Sequence, residues 1–326
     1  MESFENAHTG IRMSAGRFAP SPTGAQHLGN ARTYLLAYWS ARKAKSKLVL
    51  RIEDVDSPRV KPWASQQAID DLSWLGVRWE EGPDVGGSNG PYLQSQRMPL
   101  YRDALQTLIR TDRVFPCACT RKDIQEAGSA PHFDHEPAVY PGFCAGWKQG
   151  DALPAEGTYC WRFRAGDQSR EFTDLVLGRR ECVPAVALGA FPVTQKNGEP
   201  SYQLAVVVDD AAMGITEVVR GNDLIASTFR QIELYSALGL PVPRFAHVPL
   251  VCGPDGRRLA KRHGDTRLSL YRERGVSPTR IITWAARSAG LIDEHTHVEN
   301  IESVIEHFDW SKIPERDTRV ETDGFQ

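Results

Sequence analysis

Two short segments, far apart in the chain, combine the residue types that bind a polyphosphate. In the first, residues 17–29, a predicted strand ends in a turn rich in proline and glycine, and His27 begins a predicted helix. Such a turn lets the backbone approach a ligand, and the unpaired N–H groups and positive dipole end of the helix favour phosphate. His27 could donate a hydrogen bond to a triphosphate oxygen. The alternative is an ordinary turn with a surface histidine.

The second segment follows a predicted strand in the last third of the chain. A Gly-Pro-Asp-Gly turn at 253–256 precedes a cluster of cationic residues, Arg257, Arg258, Lys261 and Arg262. Cations beside such a turn could stabilise the charge that develops on an α-phosphate during in-line attack. On its own, the segment could equally be a solvated basic loop.

A third group of candidate residues is a set of cysteines in a stretch rich in His, Pro and Gly. Cys117 and Cys119 are separated by one residue and Cys144 follows, so the three thiolates could form three corners of a zinc tetrahedron. Chemistry alone favours His132 or His135 as the fourth ligand, because imidazole is a common zinc ligand. Three free thiols are the alternative. A metal would replace the apolar core that this stretch lacks.

The hydrophobic pattern predicts the elements that must position these groups. Strands at 15–20 and 47–52 flank a helix at 28–43, which is a βαβ unit and implies a parallel sheet. Further helices are predicted at about 63–75, 97–111 and 223–238, β-like runs at 159–164, 171–177 and 203–208, a strand at 247–251, and a mostly helical remainder.

Composition narrows the class of protein. The chain has 326 residues, 41% of them hydrophobic and 25% charged, which is ordinary for a globular protein with one large or two medium domains. Its formal net charge of -2 means that a nucleic acid would have to meet a local basic patch. We find no apolar run that could span a membrane and no secretory signal, so we expect a cytoplasmic protein without a disulfide framework.

Taken in this order, the segments resemble the HIGH and KMSKS motifs of class I aminoacyl-tRNA synthetases, and most closely those of the glutamate-specific branch. Residues 17–24 match the branch's RFAPSPTG motif, and residues 50–54 match its LRIED motif. The KMSKS-like segment at 258–262 departs from the family at Arg258, Ala260 and Arg262. The resemblance covers roughly residues 15–290.

The resemblance implies an α/β fold. We expect a Rossmann-type class I catalytic domain with a parallel sheet, an inserted zinc-containing acceptor-type subdomain and a short helical C-terminal portion. The implied parts are a flexible extension at 1–14, the first catalytic half at 15–115, the zinc-binding insertion at 116–200, the second catalytic half with the KMSKS-like loop at 201–265, and a helical region at 266–326 without an anticodon-binding domain.

The resemblance also assigns an amino-acid site. Glutamate carries two carboxylates and one ammonium, so its pocket needs two cationic groups and one anionic group. The family's pattern places Arg17 and Tyr202 on the side-chain carboxylate, Glu53 with Ser21 on the ammonium, and Arg220 on the α-carboxylate. Phe18, Ala19 and Pro20 of the same motif complete the implied glutamate site. Without the resemblance, these residues would be ordinary ion-pair, capping or core residues.

For ATP, the resemblance implies contacts from Thr23, Gly24, His27, Gly29 and Lys261, with His27 and Lys261 as catalytic residues. Mg²⁺ is implied by the triphosphate chemistry rather than by a ligand cluster. For the metal, the resemblance favours Tyr140 over a histidine as the fourth ligand, beside Cys117, Cys119 and Cys144, around one structural Zn²⁺.

The function implied is that of short paralogues within the glutamate-specific branch. These activate L-glutamate with ATP without needing tRNA, and transfer it to queuosine in the anticodon of tRNA(Asp). The implied partners are ATP, L-glutamate and queuosine-bearing tRNA(Asp), and we expect a monomer. Two alternatives remain: a short glutamyl-tRNA synthetase that acylates a tRNA 3′ end, and a non-catalytic, zinc-containing RNA-binding paralogue.

Overall fold

A computed structural model describes residues 14–55, 59–127, 138–256, 259 and 266–320. The helices are α1 (Leu28–Lys43), α2 (Pro62–Trp74), α3 (Met98–Arg110), α4 (Arg121–Ala127), α5 (Pro184–Ala187), α6 (Tyr202–Ala212), α7 (Ile225–Leu238), α8 (Leu268–Glu273) and α9 (Pro278–Ser288). The strands are β1 (Ala15–Phe18), β2 (Lys47–Leu50), β3 (Val114–Cys117), β4 (Cys160–Phe163), β5 (Arg170–Asp174), β6 (Gly178–Cys182), β7 (Phe191–Pro192), β8 (Glu217–Gly221), β9 (Arg244–Val248), β10 (Val251–Cys252) and β11 (Thr318–Arg319).

Two parallel strand pairs form the centre of the fold. β1 pairs with β2, and β8 pairs with β9. The amide of Thr216 donates to the carbonyl of Ala15 at 2.8 Å, and Arg17 reaches the carbonyl of Val219. The two pairs therefore run side by side in the same direction, and β1, β2 and β8 end at one edge. In open parallel sheets, this carboxyl edge is where ligands bind.

Helix α1 packs the main core against these strands. Its Leu35, Leu36 and Trp39 are fully buried, and the Trp39 indole donates to the carbonyl of Ile301 at 2.9 Å. Because an apolar face of a helix must be covered, α1 is enclosed by the sheet on one side and by α9 and a 3₁₀ turn at Ile301–His307 on the other. The βαβ unit predicted from the sequence is confirmed.

Between the two parallel pairs, the chain forms antiparallel structure. Strands β3, β4 and β7 make a three-stranded sheet in that order, and β5 and β6 form a hairpin. The amide of Leu175, in the hairpin turn, donates to the carbonyl of Phe245 in β9 at 2.9 Å. The hairpin is therefore docked onto the parallel strands that carry the site.

One predicted element is wrong. The β-like run at 203–208 lies inside helix α6. Its valines suggested a strand because β-branched residues favour strands, but Leu204, Val207 and Asp210 are all buried along this helix. Burial on nearly every side makes an apolar helix look like a buried strand in sequence. The correction matters because the helical period places Asp209 and Asp210 beneath the site.

The region after 266 contains the helices α8 and α9, in line with the helical pattern of the sequence. It also contains 3₁₀ segments and β11, which the sequence does not predict and which pairs in parallel with β10. No helix in the described ranges is both long enough and apolar enough to cross a bilayer.

Candidate functional site

A cavity of about 570 Å³ lies at the carboxyl edge of β1, β2 and β8. The predicted site residues that line it are Arg17, Ala19, Ser21, Thr23, Gly24, His27, Gly29, Glu53, Tyr202 and Arg220. Phe18 and Pro20 are buried and do not line it; the Phe18 ring packs edge-on against Tyr34 and Trp79. Lys261, the other residues of the KMSKS-like loop except Leu259, and both candidate histidines, His132 and His135, lie outside the described residues.

Arg17 and Glu53 are held on one wall by a buried ionic network. Arg51, which is fully buried, donates to Glu53 Oε1 at 2.9 Å and to Asp210 Oδ1 at 2.7 Å. Arg17 donates through Nη1 to the carbonyl of Val219 at 3.1 Å, and its Nε lies 3.7 Å from Asp210. Burial raises the pKa of Glu53, and the cations of Arg51 and Arg17 oppose that rise. The network therefore presents an acid and a guanidinium side by side.

Helix α6 supplies the acidic floor of this network. Asp209 accepts from Arg97 Nε at 2.6 Å, from the Tyr101 hydroxyl at 2.9 Å, and from Gln94 at 2.8 Å. Because a buried carboxylate is costly unless it is paired, these donors explain how Asp209 can lie under a sheet edge, and Arg51 plays the same part for Asp210. Arg51 joins this floor to the cavity wall, because its Nε lies 3.6 Å from Asp209 Oδ2 while its Nη2 holds Glu53 in place.

Arg220, at the end of β8, faces the same cavity from the opposite strand pair. Its Nε donates to His247 Nε2 at 3.2 Å, and its Nη2 donates to the Thr228 hydroxyl at 2.6 Å. Its Nη1 lies 3.5 Å from the hydroxyl of Tyr202, which begins α6. The guanidinium is thus fixed on two sides, with Tyr202 beside it in the cavity wall.

His27 caps the helix that begins at the cavity. Its Nδ1 accepts from the amide of Gly29 at 3.1 Å, so in the neutral ring the hydrogen is on Nε2. A Cβ at position 29 would lie 3.1 Å from the His27 ring, which explains the glycine. The cap also corrects one expectation: the N–H groups of Leu28 and Gly29 are already bonded, to Thr266 and His27. The helix dipole and the His27 ring remain as the features that favour phosphate.

Described residues on either side of the KMSKS-like loop lie beside the start of α1. Leu28 donates to the carbonyl of Thr266 at 3.2 Å, and Leu268 donates to the carbonyl of Gln26 at 2.9 Å. On the other side of the KMSKS-like loop, Leu250 and Val251 line the cavity. The described residues that precede and follow the loop therefore lie next to the start of α1.

The three cysteines and the tyrosine predicted to bind zinc converge away from the cavity. The Tyr140 hydroxyl lies 3.5 Å from Cys117 Sγ and 3.9 Å from Cys119 Sγ, and Cys119 Sγ lies 3.7 Å from Cys144 Sγ. With Zn–S and Zn–O bonds of about 2.3 and 2.0 Å, tetrahedral edges are roughly 3.8 Å between sulfurs and roughly 3.5 Å between sulfur and oxygen. The donor set therefore fits a zinc ion.

The surroundings of the cluster also shift the pKa values of two of its thiols. Hydrogen bonding from Cys160 and Tyr140 lowers the pKa of Cys117 to about 4, whereas burial and the neighbouring thiols raise the pKa of Cys119 to about 11. Cys117 is therefore the thiol that more readily becomes a thiolate, and Cys119 resists deprotonation. A dication at its centre would favour the remaining thiolates.

Sequence reasoning missed several residues that hold the site. Arg51 lay within a matched motif, but no role was assigned to it. Asp209 and Asp210 followed a run that was taken for a strand. Asp174, Thr228 and His247 carry no motif at all, and only the fold brings them to Arg220.

Comparison with known proteins agrees with this geometry. Residues 15–324 match the family described as tRNA synthetases class I (E and Q), catalytic domain. A glutamyl-Q tRNA(Asp) synthetase of Rhodopirellula baltica is 52% identical over 94% of this chain and 97% of its own length. One from Symbiobacterium thermophilum is 49% identical over 94% of this chain and 96% of its own length.

Longer relatives match as well. Glutamate–tRNA ligase 2 of Syntrophus aciditrophicus is 39% identical over 90% of this chain but only 60% of its own length. The crystal structure of a glutamate tRNA ligase from Elizabethkingia meningosepticum, in complex with its amino acid, superposes with a TM-score of 0.80 at 27% identity. That match covers 94% of this chain and 66% of the ligase.

The fold, the paired motif segments and these matches define a class I aminoacyl-tRNA synthetase type of ligase. The chain belongs to the glutamate and glutamine family of class I tRNA synthetases and, within it, to the glutamyl-Q tRNA(Asp) synthetase group.

Proposed function

We propose that the cavity activates L-glutamate with ATP, without tRNA, and that the enzyme then transfers the glutamate to queuosine in the anticodon of tRNA(Asp). The observation that carries this proposal is the charge pattern of one cavity. Arg17 and Arg220 stand on its walls with Glu53 and Tyr202, at the start of a helix that favours phosphate. Two cationic groups and one anionic group match the two carboxylates and one ammonium of glutamate.

Each group of the amino acid has a partner in this arrangement. Arg17 and Tyr202 bind the side-chain carboxylate, Glu53 with Ser21 binds the ammonium, and Arg220 binds the α-carboxylate. Burial makes these charge pairs stronger than they would be in water. Because Arg51 and the α6 aspartates already hold Arg17 and Glu53 in place, binding costs little reorganisation.

In the activation step, an α-carboxylate oxygen of glutamate attacks the α-phosphorus of ATP. The bond to the bridging oxygen of pyrophosphate breaks, and glutamyl-adenylate and pyrophosphate form. By family resemblance His27 contacts the triphosphate; it lines the cavity at the helix start together with Thr23, Gly24 and Gly29. Lys261 contributes a positive charge by family resemblance, and Mg²⁺, arriving with ATP, would offset the charge of the leaving pyrophosphate.

In the transfer step, a hydroxyl of queuosine attacks the acyl carbon of the adenylate. The bond from that carbon to the phosphate oxygen breaks, AMP leaves with the bonding electrons, and the hydroxyl proton passes to the phosphate of the departing AMP. The cyclopentenediol of queuosine presents a cis-diol like that of a terminal ribose, so one site can serve such an acceptor. The glutamyl-Q relatives, at 49–52% identity over nearly their whole length, favour this acceptor over a tRNA 3′ end.

The cysteine cluster holds one structural Zn²⁺ through Cys117, Cys119, Tyr140 and Cys144. The tetrahedral spacing of the sulfur and oxygen atoms supports this role. The ion would fix the segment between β3 and β4, and would take no part in the chemistry of the cavity.

The test separates the two steps. Glutamate-dependent exchange between ATP and labelled pyrophosphate, measured without tRNA, should proceed with L-glutamate and fail with L-glutamine, which lacks the second carboxylate. Labelled glutamate should then attach to tRNA(Asp) that contains queuosine and not to the same tRNA without it. Attachment to a periodate-sensitive 3′ end would instead identify a short glutamyl-tRNA synthetase, and absence of exchange would favour a non-catalytic RNA-binding protein.

A further inference from the structure

The orientation of Arg220 depends on which nitrogen of His247 carries a hydrogen. Two donors converge on His247 Nε2: the Arg220 Nε–H at 3.2 Å and the Thr228 hydroxyl at 2.8 Å. If Nε2 carried a hydrogen, it would have no lone pair to accept the hydrogen bond from Arg220 Nε. The contact with Arg220 therefore requires the Nδ1–H tautomer.

Asp174 imposes that tautomer. Its Oδ2 lies 2.6 Å from His247 Nδ1, so the Nδ1–H donates to the carboxylate. The other oxygen, Oδ1, accepts from the amides of Val176 and Leu177, both at 2.9 Å. Both oxygens are thus committed, and the carboxylate cannot rotate away from the ring.

The ring is also kept neutral. His247 and Asp174 are almost completely buried, and burial lowers the pKa of His247 to about 4. Near neutral pH the imidazole therefore acts as an acceptor toward Arg220 and does not repel it as a second cation.

Asp174 comes from the β5–β6 hairpin, whereas Arg220 and His247 come from the parallel strands β8 and β9. The Leu175 amide bonds the hairpin turn to β9. A segment between the two catalytic halves thus reaches the amino-acid site through one carboxylate.

We infer that Asp174 and His247 are positioning residues for the amino-acid α-carboxylate: Asp174 fixes the His247 tautomer, and His247 Nε2 fixes the plane of Arg220. The inference rests on the proposed function, since it assumes that Arg220 binds that carboxylate. It assigns to the β5–β6 hairpin a part in amino-acid selection.

A pair of substitutions at His247 separates positioning from packing. In His247→Gln, the side-chain amide oxygen can occupy the place of Nε2 and keep an acceptor for Arg220. In His247→Asn, the amide nitrogen can occupy the place of Nδ1 and keep the bond to Asp174, but Arg220 Nε loses its acceptor. Both remove a buried ring, so a purely structural role predicts similar effects.

Asp174→Asn tests the tautomer directly. The amides of Val176 and Leu177 hold the asparagine oxygen, so its NH₂ group must face His247 Nδ1 and drive the hydrogen to Nε2. The exposed Asp167, in the same segment, provides the matched control Asp167→Asn.

Glutamate affinity is measured by calorimetry on the full chain, beside ATP affinity and the melting temperature. We expect His247→Asn and Asp174→Asn to raise the Kd for glutamate about 10- to 100-fold, because a buried charged donor is left without a partner, and His247→Gln to raise it about 3-fold or less. ATP affinity should stay within about 2-fold in all variants.

A second readout uses isoglutamine, whose α-carboxylate is replaced by an amide. Wild-type protein should prefer glutamate to isoglutamine, and Asp174→Asn should lose most of that preference. If both His247 variants weaken glutamate equally, or if the preference survives in Asp174→Asn, the positioning role is wrong while the proposed function stands. If wild-type protein itself fails to bind glutamate, the proposed function fails instead.

Discussion

The cavity and the cysteine cluster differ in how firmly other protein groups hold their side chains. In the cavity, each charged group that we assign to glutamate is already held by other protein groups: Glu53 by Arg51, and Arg220 by His247 and Thr228. In the cluster, the thiols of Cys119 and Cys144 lie 3.7 Å apart, and both are only partly buried at the edge of a small core.

The two regions therefore obtain their shapes from different interactions. Buried ion pairs and hydrogen bonds fix the cavity before any ligand arrives, which is the preorganisation that catalysis requires. The cluster lies beside a small core, whose buried members are Phe115, Cys117, Tyr140 and Cys160. With so small a core, we expect this segment to depend on the proposed zinc for its stability. Removing one support at a time from each region tests this contrast.

The largest effect should follow from loss of the metal. Cys144→Ser, or treatment with a strong chelator, should release one zinc per chain and expose the segment between β3 and β4 to proteolysis. Structural zinc contributes on the order of 10 kcal/mol to small metal-dependent domains, so the local loss of order should be complete. Metal analysis and limited proteolysis measure both outcomes.

The contrast predicts that the cavity survives this loss. Glutamate-dependent pyrophosphate exchange should stay within about 3-fold of wild type in Cys144→Ser. Cys182→Ser, which alters a cysteine outside the cluster, is the matched control and should keep its zinc. Loss of exchange together with zinc would show that the two regions are not independent.

The next effect concerns Arg220. Arg220→Ala should lower kcat/KM for glutamate in pyrophosphate exchange by about 30- to 5000-fold, because truncating a buried charged partner costs about 2 to 5 kcal/mol. Zinc content should not change. Arg179→Ala, at an exposed arginine of the β5–β6 hairpin, should behave as wild type. Equal losses in both variants would argue against a specific role for Arg220.

The two regions also differ in how far the sequence predicts them. The segment at residues 17–29 and the spacing of the three cysteines are local patterns in the sequence. In the structure, the first lines the cavity and the second forms one cluster. Helix α1 was predicted with its observed bounds, because its apolar period is strong and His27 marks its start.

The supports of the cavity could not be predicted in the same way. Asp174 and His247 are far apart in the chain, and their pairing depends on the docking of a hairpin onto β9. The α6 run of valines carries a strand-like composition, and only tertiary burial makes it a helix. Sequence reasoning therefore identifies groups that touch ligands more readily than groups that hold them.

A third prediction uses pH to probe the supports of the cavity. The pKa of His247 is lowered by burial from its ordinary 6.5 to about 4, so the unfolded chain takes up a proton over this range while the folded chain does not. Stability is therefore full above pH 6.5 and falls as the pH drops toward 4, by roughly 3 kcal/mol in total. The charged groups that face the ring are Asp174, Arg220 and Asp223.

Urea unfolding of wild type and His247→Gln between pH 4 and 8 measures this contribution as a difference. Subtracting the two curves removes the contribution of Asp71, which is present in both proteins. Burial raises the pKa of Asp71 to about 6, so its protonation stabilises the folded protein over part of the same pH range. The free energy of unfolding should fall more steeply with acid in wild type than in the variant. Parallel curves would mean that His247 titrates normally.

The smallest effect should come from Tyr140. Its hydroxyl lies at tetrahedral distances from two sulfurs and accepts from the amide of Cys144 at 2.8 Å, so Tyr140→Phe removes an oxygen ligand but leaves three thiolates. Water can take the empty position, and we expect zinc affinity to fall only about 10- to 100-fold, the size of effect seen when groups that support a metal ligand are lost.

Competition with a chelating dye measures that affinity, and Tyr140→His, which restores a ligand nitrogen, should recover most of it. Cobalt substitution provides a sharper criterion, because the visible spectrum of cobalt reports a change in its ligands. If Tyr140→Phe binds zinc as tightly as wild type and its cobalt spectrum is unchanged, then the fourth ligand lies elsewhere. The position of the Tyr140 oxygen would then follow from its hydrogen bond to the amide of Cys144 and not from a metal. In that case protein groups, and not only zinc, would hold the cysteine cluster in shape, and the cluster would resemble the cavity more closely than we expect.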